Sequence, residues 1–218
     1  MTSKVLEAWE SVTSNLPDRS NDWWAKLSEK YEADGRSYHN IDHLTEKLEH
    51  FENVKRDLKN PSAVCLAIFF QYFYYDPKEV DCEEKNIEFF KQFADECNIP
   101  QESPLHGEVV RLLRGAATNS TEEHKTEGAH GTDDLHYLLD VDMAILGAPE
   151  DRYSEYARRV RQEYAFLSDS IYNQLRVKVL QNFLQIPNIF ATKIFREKFE
   201  KQARLNIQRE VDGLKPQN

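Results

Sequence analysis

Two histidines lie four residues apart in the stretch Ser37-Tyr-His-Asn-Ile-Asp-His-Leu44. On an α-helix, residues at positions i and i+4 are close to one turn apart and share a side. His39 and His43 would then direct both imidazoles to one point, and neutral imidazole is a frequent ligand of divalent metal ions. The pair predicts a metal site. The alternative is two solvated or hydrogen-bonded histidines on a helix face.

Carboxylates suited to the same chemistry follow downstream. They lie in an apolar run ending Tyr-Tyr-Asp-Pro (Tyr74 to Pro77), in Asp81-Cys-Glu-Glu84 and in Leu139-Asp-Val-Asp-Met-Ala-Ile-Leu-Gly147. Carboxylates serve as metal ligands or as general bases, so Asp76, Glu83 and Glu84 are the candidates for a catalytic base or auxiliary ligand. Asp140 and Asp142 are two residues apart and would point to nearly opposite sides of a helix. Only one of these two aspartates would therefore be a ligand.

Composition argues against several classes of function. The formal net charge of -10 repels a phosphate backbone, so nucleic acid is not expected as a partner, whereas a small phosphorylated metabolite fits. Three cysteines without a CxxC pair predict neither a disulfide framework nor a structural zinc site. The longest apolar run, Val64 to Tyr75, is too short to span a bilayer. We expect a cytoplasmic protein that acts away from membranes, and oligomer formation stays open.

The spacing of apolar residues predicts helices along the whole chain, within a single domain of 218 residues. Only 7 Gly and 8 Pro interrupt the pattern. Helices are predicted at about 3–16, 20–34, 40–58, 61–75, 82–98, 104–117, 133–146, 150–166, 168–185 and 192–211. The segment 119–132, NSTEEHKTEGAHGT, has no apolar residue larger than alanine. It is therefore predicted to be a mobile loop, either a flap over a pocket or a plain solvated loop.

Several of these segments, taken together, resemble a family of predicted metal-dependent phosphohydrolases of the HD superfamily. They are Tyr38-His-Asn-Ile-Asp-His43, the run ending Tyr75-Asp-Pro77, Glu83-Glu84, Ala117-Thr118, and Leu138 to Ala148 continuing through Tyr153 and Tyr156 to Tyr164. The resemblance covers most of the chain. It implies an HD-domain-like helical bundle with additional C-terminal helices. In that superfamily a histidine, an adjacent His-Asp pair and a distant aspartate hold one or two divalent cations, which bind phosphate and activate water.

The resemblance implies that His43, with His39 beside it, is the first metal ligand and Asp142 the last. The ion would be Mn, Mg, Fe, Zn or Ni. The His-Asp pair would fall at Gln71-Tyr72, and this chain lacks it. A glutamine amide oxygen is a weak, neutral ligand, and a phenol stays protonated near neutral pH. Losing these donors predicts a metal affinity lower by orders of magnitude, because even indirect changes commonly cost about 10- to 100-fold.

Two hypotheses about function follow. The first is a phosphohydrolase of small phosphorylated metabolites or nucleotides with an altered, impaired metal site. Its candidate phosphate ligands are Arg36, Lys85, Arg111 and Arg114. The second is a noncatalytic helical binding module, a pseudoenzyme for a metabolite or protein partner. In this module Gln71 and Tyr72 contact the ligand by hydrogen bonding and stacking.

A third, weaker hypothesis is redox or oxygenase chemistry at an iron site. This chemistry needs more histidine ligands than the matched positions supply. The remaining candidates are His106, His124, His130 and His136, and the segment 119–132 would have to fold inward to recruit them. Their alternative interpretation is that all four are surface histidines.

Overall fold

The computed structural model describes residues 2–17, 19–118 and 120–215. These residues form α-helices and two short 3-10 helices and contain no strand, which confirms the predicted all-α fold class. The helices are α1 (Thr2–Thr13), α2 (Arg19–Tyr31), α3 (Ile41–Val54), α4 (Pro61–Phe70), α5 (Cys82–Glu96), α6 (Pro104–Ala116), α7 (Glu122–Lys125), α8 (Asp134–Met143), α9 (Glu150–Glu163), α10 (Asp169–Gln185) and α11 (Lys193–Leu214). The 3-10 helices are Lys55–Asp57 and Ala144–Gly147. Within these ranges, no helix is both long and apolar enough to cross a bilayer.

The chain divides into two compact units. The first lies within residues 1–119 and 133–138, and the second within 120–132 and 139–218, so that the boundary falls inside α8. The extension of a single domain over residues 1–218 and the HD-like character of the bundle stay predictions.

The core of the first unit is built on α4. Residues 63–70 of this helix are all buried, as expected for an apolar run without a polar face. Aromatic side chains of three other helices surround it: Trp9 meets Phe69 edge-on at 5.1 Å between ring centroids, and Trp23 meets Phe93 at 5.6 Å. Such edge-to-face pairs add to the free energy of burial. These two tryptophans are therefore core residues.

Helix α4 ends at Phe70, five residues before the predicted end at Tyr75. The backbone that follows is held by the buried side chain of Asn86 on α5. Its Nδ2 donates to the carbonyl oxygens of Gln71 and Tyr74 at 2.8 and 3.1 Å, and its Oδ1 accepts from the Tyr74 amide at 2.7 Å. These bonds satisfy backbone groups that a longer helix would have paired internally. Residues 71–75 are consequently a turn.

The predicted loop at 119–132 is not a plain solvated loop in its described part, residues 120–132, and its mobility stays a prediction. This part contains α7, whose residue His124 is fully buried. The imidazole Nδ1 accepts from the Thr121 amide at 2.9 Å, which closes a capping box. Asn188 Nδ2 donates to the carbonyl oxygens of Glu123 and Thr126, both at 2.8 Å. Polar contacts to backbone groups, rather than an apolar core, hold this segment.

Two buried aspartates on α8 each hold the backbone that precedes another helix. In the first unit, Asp134 accepts from the amides of Lys59 and Asn60 at 2.8 and 2.7 Å. In the second unit, Asp140 accepts from the amides of Ala191 and Thr192, both at 2.8 Å, and from the Thr192 hydroxyl. Burial raises the pKa of Asp140 to about 7, although these hydrogen bonds oppose the rise. Asp140 thus holds backbone and the Thr192 hydroxyl, which is one of the roles predicted for whichever of Asp140 and Asp142 is not a ligand.

In the second unit the 3-10 helix Ala144–Gly147 packs closely on α11. A Cβ atom on Gly147 would lie 2.5 Å from Phe199 Cβ and 2.7 Å from the Phe199 carbonyl oxygen. Both positions belong to the rigid part of α11, so the clash cannot be relieved by rotating a side chain. We expect Gly147→Ala to lower the free energy of unfolding by about 2–3 kcal/mol, measured by urea denaturation followed by circular dichroism.

The control for this prediction is Gly107→Ala. Gly107 lies on α6, and a Cβ there has nothing within 4 Å. Alanine at this helical position is expected to raise the free energy of unfolding by roughly 0.5–1 kcal/mol. Equal effects of the two substitutions would contradict the steric explanation.

Candidate functional site

The first unit brings His39 and His43 together, although only His43 lies within a helix. Helix α3 begins at Ile41, and Asn40 is its N-cap, accepting from the amides of Asp42 and His43 at 3.0 and 3.3 Å. His39 therefore lies in the turn before α3, and His43 lies in its first turn. Their ring centroids are 5.4 Å apart and the rings are nearly perpendicular. The N-cap, rather than helical periodicity, sets this juxtaposition.

Three tyrosines pack on the two imidazoles. Tyr75 and Tyr72 lie 4.3 and 4.6 Å from His39 between ring centroids, and Tyr38 lies 4.4 Å from His43. We call Tyr38, His39, His43, Tyr72 and Tyr75 the histidine–tyrosine cluster. Tyr38 and His43 are buried, whereas the other three are half-buried. The cluster thus has a buried base and a surface that a ligand can reach.

A buried ammonium group, which the sequence analysis did not single out, lies beside the cluster. Lys47 follows His43 by one turn of α3 and is only 2% exposed. Its Nζ donates to Gln71 Oε1 at 2.5 Å and lies 4.8 Å from the centroid of the Tyr72 ring. Burying an ammonium is costly unless it is hydrogen-bonded, and a tyrosine face adds cation–π attraction. Both residues at the expected His-Asp positions therefore contact this cation.

The sequence did carry a signal for Lys47. The buried side of α3 includes Leu44, Leu48 and Phe51, and Lys47 is three and four residues from the first and last of these. At helical spacing it therefore stands among apolar positions. A lysine at such a position needs a partner, and Gln71 provides one.

Arg36 joins the two chain segments that form the cluster. Its guanidinium donates to the carbonyl oxygens of His39 at 3.2 Å, Tyr72 at 2.6 Å and Phe73 at 2.8 Å. It also lies 5.7 Å from the centroid of the Tyr75 ring. Arg36 was predicted to bind phosphate. In the structure, Arg36 links the turn before α3 to the turn after α4 and so positions these two segments.

The predicted carboxylate candidates lie in the turn and helix that follow the cluster. Asp76 Oδ1 accepts from the Lys78 amide at 2.9 Å, which closes a tight turn. Glu83 and Glu84 are in the first turn of α5, where Glu83 is half-buried and Glu84 exposed. Burial raises the pKa of Glu83, the neighbouring charge of Glu84 adds to the rise, and Arg114 opposes it. Catalytic roles for these three carboxylates stay predictions.

The remaining cationic candidates are on the surface of the first unit. Lys85 forms an ion pair with Glu79 and donates to the Tyr74 hydroxyl at 3.2 Å. Arg111 pairs with Glu108 at 2.7 Å and Asp133 at 2.8 Å. These carboxylates raise the pKa of Arg111 further above its ordinary value. Arg114 is exposed on the same helix, α6. Binding of phosphate by any of these cations stays a prediction.

Of the four histidines considered as further ligands, two accept backbone hydrogen bonds within their own units. His136 Nδ1 accepts from the Asp133 amide at 3.0 Å, and His124 caps α7 as described above. His106 is buried with its ring 5.4 Å from Phe90, and His130 is exposed. Three of the four are therefore not surface histidines, contrary to the interpretation drawn from the sequence.

Asp142, the predicted last metal ligand, is half-buried on α8 in the second unit. Its role as a ligand stays a prediction. Among residues 2–17, 19–118 and 120–215, no group of three or more His, Cys, Asp and Glu side chains is arranged to hold a metal ion.

Comparison with known proteins identifies neither a family nor a relative of this chain. No protein-family model, no curated protein and no solved structure matches this chain.

Proposed function

We propose that this chain is a noncatalytic binding module, related to HD-superfamily phosphohydrolases, that binds a small phosphorylated molecule at the histidine–tyrosine cluster. The observation that carries the proposal is the buried ammonium of Lys47, 2.5 Å from Gln71 Oε1 and 4.8 Å from the Tyr72 ring. Gln71 and Tyr72 are the positions where the resemblance implies a His-Asp pair. The side chain of Lys47 thus supplies one positive charge next to the two positions from which a His-Asp pair would bind a metal ion.

The charge of Lys47 opposes a divalent metal ion at such a site. Two unit charges about 4 Å apart repel by roughly 4 kcal/mol at an effective dielectric constant of 20, and the repulsion is about twice that for a divalent ion. The amide oxygen of Gln71 already accepts the ammonium proton, so it offers little compensation. We therefore expect weak metal binding and no two-metal hydrolysis.

The same arrangement favours an anion. An ammonium binds phosphate as a point charge, and the imidazole and phenol groups of the cluster supply N–H and O–H donors. The half-buried Tyr72 ring lies 4.8 Å from this charge, so a ligand bound on the exposed part of the cluster would lie near it. The fold tolerates the loss of a His-Asp pair, because exchanging a buried ionic pair for other well-packed groups is often neutral for stability.

A second candidate function is hydrolysis with a single metal ion. The observation that favours it is the closeness of the His39 and His43 rings, 5.4 Å between centroids. Two imidazoles and one further carboxylate would suffice for an ion that lowers the pKa of a bound water. Metal-dependent turnover of a phosphate ester distinguishes this candidate from the binding module.

The proposal is tested by titrating the full chain with inorganic phosphate and with AMP, using calorimetry. We expect saturable binding of at least one probe without turnover, and a loss of affinity of at least about tenfold in Lys47→Met. Lys91→Met is the matched control, because the side chain of Lys91 on α5 is 40% exposed and pairs with Glu88 on the same helix at 2.7 Å. Unchanged affinity in Lys47→Met, or hydrolysis of AMP by the natural chain, would contradict the proposal.

A further inference from the structure

The buried amide of Asn86 on α5 holds both ends of the segment 71–74, which follows α4. Asn86 is 2% exposed. Its Nδ2 donates to the carbonyl oxygens of Gln71 and Tyr74 at 2.8 and 3.1 Å, and its Oδ1 accepts from the Tyr74 amide at 2.7 Å. Breaking these bonds would leave buried backbone groups unpaired, which is costly.

The two carbonyl oxygens between these ends are held by Arg36. Its guanidinium donates to the carbonyl oxygens of Tyr72 at 2.6 Å and Phe73 at 2.8 Å. The four consecutive carbonyl oxygens of the segment 71–74 therefore accept hydrogen bonds from two side chains, one in the turn before α3 and one on α5. A segment bonded at every residue has little freedom to rearrange, so its conformation is fixed before a ligand binds.

The segment 71–74 carries the two side chains that contact the buried ammonium of Lys47. Gln71 Oε1 accepts from Lys47 Nζ at 2.5 Å, and the centroid of the Tyr72 ring lies 4.8 Å from the same atom. Asn86 bonds the backbone of this segment, and the backbone sets where the two side chains begin. A change at Asn86 would therefore reach the site through the segment 71–74.

We propose that Asn86 is a positioning residue of the ligand site, whose amide fixes the segment 71–74 so that Gln71 and Tyr72 lie against Lys47. This inference rests on the proposed function, because it concerns affinity for the same phosphorylated ligand. It goes further by assigning a part in binding to α5, a helix outside the histidine–tyrosine cluster. Supporting contacts of this kind matter because a small displacement of a contacting group lowers affinity.

The second unit contains a matched control for Asn86. Asn206 on α11 is 0% exposed, and its Nδ2 donates to the carbonyl oxygens of Leu146 and Ala148 at 2.9 and 2.8 Å. Each asparagine thus joins one buried amide to two backbone carbonyl oxygens. Alanine at either position removes these bonds and should lower stability to a comparable extent. A purely structural role would therefore give both variants the same effect on binding.

The first test is calorimetric titration of both alanine variants with AMP and with inorganic phosphate, at a temperature where circular dichroism shows each variant folded. We expect Asn86→Ala to weaken binding at least about fivefold and Asn206→Ala to stay within about twofold of the natural chain. Equal losses in the two variants would overturn the inference, as would unchanged affinity in Asn86→Ala. Asn86→Ser and Asn206→Ser, which keep one hydroxyl donor, replace the alanine pair if alanine prevents folding.

The second test needs no ligand. The side-chain amide signals of Gln71 in the NMR spectrum of the free chain, assigned through Gln71→Met, report its contact with Lys47. In the Asn86 variant they should shift towards the positions of an exposed glutamine, and in the Asn206 variant they should stay in place. Signals that do not move in the Asn86 variant overturn the positioning role. If they move but the natural chain binds neither probe, the proposed function fails while the positioning of Gln71 by Asn86 is supported.

Discussion

Replacing Gln71 by histidine, Tyr72 by aspartate and Lys47 by methionine together is expected to give the chain a Mn²⁺ affinity at least about 100-fold above that of the natural chain. The first two substitutions restore the donor pair implied by the resemblance. The third removes the buried ammonium that contacts both positions. Calorimetric titration with Mn²⁺ measures the effect.

The double variant Gln71→His with Tyr72→Asp isolates the contribution of Lys47. In this variant the new carboxylate lies next to the ammonium and forms an ion pair with it. We expect Mn²⁺ to bind the double variant at least about tenfold more weakly than the triple variant. Equal affinities would show that the ammonium does not oppose the metal ion. Adding His43→Ala to the triple variant should abolish the gain, which locates the new site at the histidine–tyrosine cluster.

Arg36→Leu is expected to lower the free energy of unfolding by about 3 kcal/mol. The guanidinium donates to the carbonyl oxygens of His39, Tyr72 and Phe73, and hydrogen bonds that involve a charged group contribute roughly 1.5–3 kcal/mol each without being additive. Binding of phosphate probes should weaken as well, since both segments of the cluster lose their common anchor. Urea denaturation followed by tryptophan fluorescence measures the stability.

The control for this substitution is Arg56→Leu, at an exposed arginine in the 3-10 helix after α3. A surface change of this kind is expected to stay within about 0.5 kcal/mol of the natural chain. A loss below about 1 kcal/mol in Arg36→Leu would contradict the positioning role assigned to this residue.

The sequence was sufficient for those parts of the fold that depend on local pattern. Apolar spacing identified the long helices, and the apolar run after Pro61 was predicted to be helical, as residues 61–70 are. The N-cap Asn40 and the histidines around it are likewise local features, and the structure brings His39 and His43 together. These features are predictable because neighbouring residues determine them.

Features that depend on contacts between distant residues were not predictable in this way. The turn after α4 is held in part by Asn86, which is 15 residues beyond Gln71. The order of residues 120–132 is set by Asn188, which is more than 60 residues further along the chain. In both cases one buried amide side chain satisfies backbone groups that composition alone assigned to a longer helix or to solvent.

In the candidate site, too, local features could be predicted from the sequence, whereas contacts between distant residues could not. The histidine pair and the neighbouring Gln71 and Tyr72 were visible as residue types in the sequence. Lys47 was not identified, because its contact with Gln71 joins α3 to the end of α4 across 24 residues. The apolar surroundings of Lys47 in the periodic pattern of α3 were the available signal.

The most direct test of the central claim is titration of the natural chain with Mn²⁺ at neutral pH, followed by calorimetry and by metal analysis of the purified protein. If Lys47 supplies the charge that a metal ion would otherwise bring, the purified protein will contain no stoichiometric metal and Mn²⁺ will not saturate it below about 1 mM. Saturable binding of one or two Mn²⁺ ions at micromolar concentration, lost in His43→Ala, would contradict the claim.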